Sequence, residues 1–195
     1  MAITTEQVKA LRDETGISVM QCKQALEEAN GDVEKAKVIL RKKGTAAAAK
    51  KADRELGAGT VSAYIHANNE VGTLILLSCE TDFVSNNEEF VALARDIAMH
   101  ATATNPEFIS RDEVTPEKVD AARSVFEDEA KDKPEEVRTK IVEGKMDSYL
   151  KESVLLEQPF IKNPDMTILA LIENATQKFG ERVEITKLTR FSVRD

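Results

Sequence analysis

The chain has 195 residues, enough to bury a core in one or two domains. Hydrophobic residues make up 42% and charged residues 32%, the balance of an ordinary globular protein, with a formal net charge of −8. That charge speaks against broad binding of nucleic-acid phosphates, which takes clustered Lys and Arg, and favours protein partners.

In chain order, Thr4 and Gln7 have the spacing of a capping box ahead of a first helix whose short apolar face is Val8 and Leu11. Gly16 breaks it. Ser18 with Gln21 offers a second box, followed by Cys22, Ala25, Leu26 and Ala29 at helical spacing. Asn30-Gly31 is a stop, because glycine accepts the left-handed backbone that ends helices. Asp32 caps a third helix carrying Val33, Ala36, Ile39 and Leu40, which is expected to end at Gly44. Residues 1–44 thus read as a three-helix domain. Residues 45–58, small and basic with no large apolar residue before Leu56, read as a linker in which the alanines favour nascent helix.

Residues 59–195 change character. Thr60 to His66 alternates Val61, Ala63 and Ile65 against Ser62, Tyr64 and His66, the period of a strand. Asn68-Asn69-Glu70 supplies a turn, and Gly72 to Ser78, with Leu74-Ile75-Leu76-Leu77, fits a central strand covered on both faces. Ser85 with Glu88 is placed to cap a long helix bearing Phe90, Leu93, Ala94, Ile97 and Ala101. Two further helices each open on a proline suited to a first turn, Pro116 and Pro134. A loop around Gln158-Pro159-Phe160 precedes an amphipathic helix with Ile168, Leu171, Ile172, Ala175 and Phe179, and Val183 to Val193 closes the chain as a strand. Strands at both ends of a helical middle predict an α+β fold, with the last strand joining the early hairpin.

No enzyme chemistry finds an anchor. There is no GxGxxG, no GxxxxGK[ST] and no GxSxG stretch. Two cysteines, Cys22 and Cys79, and two histidines, His66 and His100, stand in no metal-ligand spacing and make no disulfide framework, so no metal site is expected and a reducing compartment fits. Cys79 as a nucleophile would need one of the histidines beside it; a partly buried structural thiol is the commoner fate. Glu80 and Asp82 lack the enclosing pocket that paired catalytic carboxylates need. The basic linker (Arg41, Lys42, Lys43, Lys50, Lys51, Arg54) lacks the aromatics that would stack bases, and reads as solvated. The start of the chain has no secretory pattern and the longest nearly apolar run, Val71 to Leu77, is too short for a bilayer, so a cytoplasmic protein without membrane contact is expected.

One segment stands out: Cys79-Glu80-Thr81-Asp82-Phe83-Val84-Ser85-Asn86, with a large aromatic where the chain turns from strand to helix. From the residues alone the simpler reading tucks Phe83 under the helix as a staple while Asp82 bonds a turn amide. The other reading has Asp82-Phe83 protrude toward a partner as an aromatic anchor.

The stretches Val8 to Gly16, Met20 to Asp32 and Leu40 to Gly44, the segment Cys79 to Val84, and then Asn105 to Ile109, Glu143 to Met146 and Leu156 to Ile161 together resemble the elongation factor Ts family across essentially the whole chain and in the family's order. The resemblance implies a UBA-like three-helix domain, a linker and an α+β core. It implies a guanine nucleotide exchange factor of translation elongation that uses no covalent chemistry and no cofactor. Its partner would be elongation factor Tu, in both GDP-bound and nucleotide-free forms. Thr81, Asp82, Phe83 and Val84 would then enter the GTPase beside its magnesium, and the N-terminal helices, around Lys9, Arg12, Thr15, Gly16, Met20 and Lys23, would dock on the GTPase domain. Here Ile17-Ser18-Val19 replaces the small Gly-containing turn more usual at that point. Longer relatives carry a duplicated core and an inserted helical hairpin, whereas this chain has a single core unit, for which a homodimer would compensate. A different class of function, a non-catalytic adaptor built on the UBA-like domain alone, would make the Asp82-Phe83 segment dispensable.

Overall fold

The computed structural model describes residues 3–194. Capping decides where its first helices begin. In α1 (Thr5–Thr15) the Thr4 N–H donates to Gln7 Oε1 at 3.0 Å and the Gln7 N–H donates back to Thr4 Oγ1 at 3.2 Å, the complete box. The Ser18 hydroxyl accepts from the Gln21 N–H at the start of α2 (Val19–Glu28), and Asp32 accepts from the Lys35 N–H at the start of α3 (Val33–Ala49). Gly16 (φ +69°) and the pair Asn30 (φ 54°) and Gly31 (φ +84°) take the left-handed backbone that turns the chain between helices. Leu11, Ile17, Cys22, Leu26, Ala36 and Leu40 form the core among the three.

The third helix does not stop at Gly44. It runs five residues further to Ala49, and Gly44 is buried within it. A Cβ at Gly44 would lie 3.1 Å from the Gln177 Oε1 and 3.7 Å from the Glu173 carbonyl, so the residue serves close approach rather than helix termination. Ala46 to Ala49, the best helix formers, then carry the helix on.

The sheet holds β1 (Ala58–Ile65), β2 (Val71–Cys79) and β5 (Glu184–Ser192) in the order β1-β2-β5. The His66 N–H donates to the Val71 carbonyl to close the hairpin, and Asn69 turns it with φ 59°. The Val193 N–H donates to the Glu70 carbonyl, while Ser78 meets Thr186 at 2.8 Å, which makes β5 antiparallel to β2. The last strand therefore joins the hairpin as expected. In β1 the apolar set points the other way from a buried strand: Val61 and Ile65 are exposed, and Thr60, Ser62 and Tyr64 are half-buried. Leu74 in β2 is exposed too, so the central strand is not covered on both faces along its whole length.

The remaining elements are α4 (Asp82–Ser85), α5 (Glu88–Thr104), α6 (Pro116–Glu129), α7 (Glu135–Ser153), the short strands β3 (Pro159–Phe160) and β4 (Asn163–Thr167), and α8 (Ile168–Phe179). The long helix is not capped by Ser85, which belongs to the single turn α4. Asn87 accepts from the Glu89 N–H at 2.9 Å instead. Pro116 occupies the first turn of α6, whereas Pro134 lies one residue ahead of α7. The expected loop at Gln158-Pro159-Phe160 is a two-stranded antiparallel hairpin, β3 with β4.

The chain divides into two compact units. One takes the described residues up to Ser62, Leu76–Arg95 and Leu169–Thr186; the other takes Ala63–Ile75, Asp96–Ile168 and the described residues from Lys187. In the second, α6 and α7 form a helical hairpin around Ala130, Val142 and Met146, flanked by Phe126 and Ile141. In the same unit the His100 ring is fully buried, 2.8 Å from Gln158 Oε1 through Nε2 and accepting the Ile161 N–H at Nδ1. Burial pushes its pKa down, against the opposing pull of Gln158. No helix among the described residues is long and apolar enough to cross a membrane.

Candidate functional site

The segment after β2 is built so that its two ends are held and its middle is not. Thr81 starts α4 with an extended backbone, yet its hydroxyl does not cap its own helix. It donates to Glu181 Oε1 at 2.5 Å, and Glu181 Oε2 accepts the Thr81 N–H at 3.0 Å and the Glu80 N–H at 3.1 Å. In return the Glu80 carboxylate accepts the Arg182 N–H at 2.6 Å and the Arg54 guanidinium at 3.2 Å. That backbone donor, and then Arg54, hold the Glu80 carboxyl below the usual range. The Arg182 guanidinium donates to the Arg54 carbonyl at 2.7 Å and pairs with Glu184. Glu181 reaches this position because Gly180, at φ +73°, ends α8 in the left-handed region and sends the chain back.

The other end is fixed by burial. Val84 and Ser85 are buried, and the Thr60 hydroxyl donates to the Ser85 carbonyl at 2.7 Å. In the helix that follows, Phe90 packs edge-on against Phe179 with ring centroids 5.8 Å apart. Between these anchors Asp82 is exposed and Phe83 is 88% exposed, more than any other large apolar residue among those described. The staple reading of Phe83 is thus wrong for this molecule: the side chain packs under nothing, and the buried residues of the turn are Val84 and Ser85.

Cys79 is buried, and its Sγ donates to the Thr81 carbonyl at 3.2 Å. Burial pushes the thiol pKa up and the nearby Glu181 carboxylate pushes it further. A thiol so placed is a protonated structural donor, the opposite of an activated nucleophile. Among the described residues no group of three His, Cys, Asp or Glu side chains could hold a metal ion.

The N-terminal set divides. Met20 is 71% exposed at the start of α2, and Lys9, Arg12 and Lys23 are exposed, Arg12 beside Asp13 and Lys23 beside Glu27. Thr15 does not present its hydroxyl outward. It donates to the Leu11 carbonyl at 2.6 Å and lies 3.8 Å from the Cys22 sulfur. Gly16 carries the left-handed turn, with the Lys178 ammonium 3.3 Å from where a Cβ would stand. The residues that sequence reasoning missed are Glu181, Arg182, Arg54 and Thr60. Each lies at least 20 positions from the segment it holds, and no local pattern links them to it.

Residues 9–195 match the family described as Elongation factor TS. The chain is 48% identical over 193 residues to an Elongation factor Ts of Carboxydothermus hydrogenoformans, covering 98% of this chain and 89% of that one. It is 48% identical over 191 residues to that of Acetivibrio thermocellus, covering 97% and 89%. To that of Thermosipho melanesiensis it is 44% identical over 193 residues, covering 98% of each. With the motif segment, the three-helix start and the α+β core in one continuous match, the chain belongs to the elongation factor Ts family.

Proposed function

We propose that the chain is a guanine nucleotide exchange factor that promotes GDP release from elongation factor Tu in the cytoplasm, binding both the GDP-bound and the nucleotide-free GTPase and making no covalent bond. The observation that carries this is the presentation of Asp82 and Phe83 on a single turn whose flanks are pinned. A bare aromatic beside a carboxylate, held out on fixed supports, suits insertion into another protein's cleft.

A GTPase holds GDP largely through phosphate contacts to backbone amides and magnesium. The exchange factor has only to bind the empty form better than the loaded one, and linkage then weakens nucleotide binding by the same factor. Phe83 would wedge between the partner's switch elements while Asp82 disturbs the water shell of the partner's magnesium. Accelerating release ten-thousandfold takes about 5.5 kcal/mol, and burying one Phe supplies about 1.5–3 kcal/mol. The wedge therefore needs help, which comes from the exposed N-terminal face of Lys9, Arg12, Met20 and Lys23 on either side of the Thr15-Gly16 turn, and from further core contacts. The deciding experiment is stopped-flow release of labelled GDP from elongation factor Tu with the chain at substoichiometric amounts. Many turnovers per molecule are expected, and a single stoichiometric burst would reject the class.

A homodimer is part of the same proposal. Ile65 (65% exposed), Leu74, Phe191 (74%) and Val193 (72%) line one shallow apolar depression, the kind of patch that a monomer seldom leaves bare. Sedimentation equilibrium of the wild type and of Phe191→Asp tests it: a dimer that the charge dissociates is expected, and a wild-type monomer at all concentrations would dispose of it.

A further inference from the structure

We infer that Glu181 is a positioning residue for Asp82 and Phe83, setting the direction in which the exchange segment points; the inference rests on the function proposed above. The starting observation is an unused cap. A threonine at the start of a helix ordinarily turns its oxygen to a free N–H of the first turn. Thr81 gives its hydroxyl to Glu181 instead, and the same carboxylate takes the N–H groups of Glu80 and Thr81. Three donors from two successive residues converge on one side chain that stands 100 positions further along the chain.

The reason such a device is needed lies in the length of α4. Asp82–Ser85 is four residues, a single turn, and a single turn has too few internal hydrogen bonds to hold its own axis. Its orientation must come from what grips its ends. At the far end the grip is the burial of Val84 and the Thr60 bond to Ser85. At the near end it is Glu181, with Glu80 clasping the Arg182 backbone and Arg54 in the opposite sense. Phe83, with almost no packing of its own, has no other source of direction. Removing the Glu181 carboxylate leaves both N–H groups to water and lets the near end swing, so the partner must order the segment at the moment of docking, which lowers the rate it can reach.

The test combines exchange kinetics with local dynamics. Labelled GDP release from elongation factor Tu is measured with wild type, Phe83→Ala, Glu181→Ala, Glu181→Gln and the Phe83→Ala/Glu181→Ala double variant. Amide hydrogen exchange and thermal melting are measured on each free chain. Glu181→Ala is expected to slow release about five- to tenfold and to speed amide exchange at Glu80 and Thr81. Glu181→Gln, which keeps an acceptor oxygen, should recover part of both, and in the Phe83→Ala background, where only Asp82 is left to misplace, Glu181→Ala should slow release by clearly less than it does in the wild type. If Phe83→Ala slows release while Glu181→Ala does not, the positioning role is overturned and the exchange function stands. If Glu181→Ala slows release additively with Phe83→Ala, or Glu181→Gln recovers nothing while both lower the melting point, Glu181 is a general brace and the inference fails. A wild-type rate for Phe83→Ala removes the Phe83 wedge, and the inference with it, while a stoichiometric burst in the wild type removes the exchange function itself.

Discussion

Replacing Phe83 with alanine tests function with little disturbance of folding. The side chain is 88% exposed in the free protein, so truncation removes almost no packing and should alter stability by no more than about 0.5 kcal/mol. In a complex that buries the ring, the lost transfer free energy is about 1.5–3 kcal/mol. At about 1.4 kcal/mol per factor of ten, release of GDP should slow roughly ten- to 150-fold. The assay is stopped-flow fluorescence of labelled GDP leaving elongation factor Tu, run beside a thermal melt of the free variant. Unchanged release would refute the wedge. A melting temperature lowered by many degrees would refute the claim that Phe83 supports nothing in its own fold.

His100 is buried neutral with a lowered pKa, so the unfolded chain takes up a proton first as the solution is acidified. Stability should be full above about pH 6.5, the ordinary histidine value, and should fall as pH drops from there toward the lowered folded value; urea midpoints against pH will show it, and a His100→Gln variant should show a flatter profile. Gly16→Ala forces a Cβ into the left-handed region and should cost about 1 kcal/mol, or roughly 2–4 °C of melting temperature, since the nearby Lys178 end can move aside. Cys79→Ser keeps a donor to the Thr81 carbonyl and should retain exchange activity within a few-fold; abolished activity would reopen thiol chemistry.

The parts of this fold legible in the sequence are those with local causes. The Thr4–Gln7 box, the Ser18 and Asp32 caps and the Gly16 and Asn30-Gly31 turns each depend on neighbours within four residues, and each is where the spacing put it. Gly44 was misread for the same reason: a glycine after an amphipathic run reads as a stop, and only the distant Gln177 reveals that it is a contact point inside a continuing helix. The apolar alternation of Val61, Ala63 and Ile65 revealed a strand and not which side faced water. At the candidate site the motif named Thr81 to Val84, while the staple reading of Phe83 failed because a helix cap at Ser85 was assumed where a separate single turn intervenes. Glu181 and Arg54 act across 100 and 26 positions, and no periodicity carries information over such spans.

The unbroken run of α3 to Ala49 has a mechanical consequence for the three helices it belongs to. At 1.5 Å per residue its 17 residues make a stiff arm about 25 Å long. Near its end the arm is gripped: Gly44 lies against Gln177 and Glu173 of α8, and the Thr45 hydroxyl donates to the Glu173 carboxylate at 2.8 Å. A tilt of about 10° at that grip would carry the start of the arm at Val33, about 16 Å away, through about 3 Å. Slight play at Gly44 thus becomes a displacement large enough to make or break a side-chain contact at the far end of the arm.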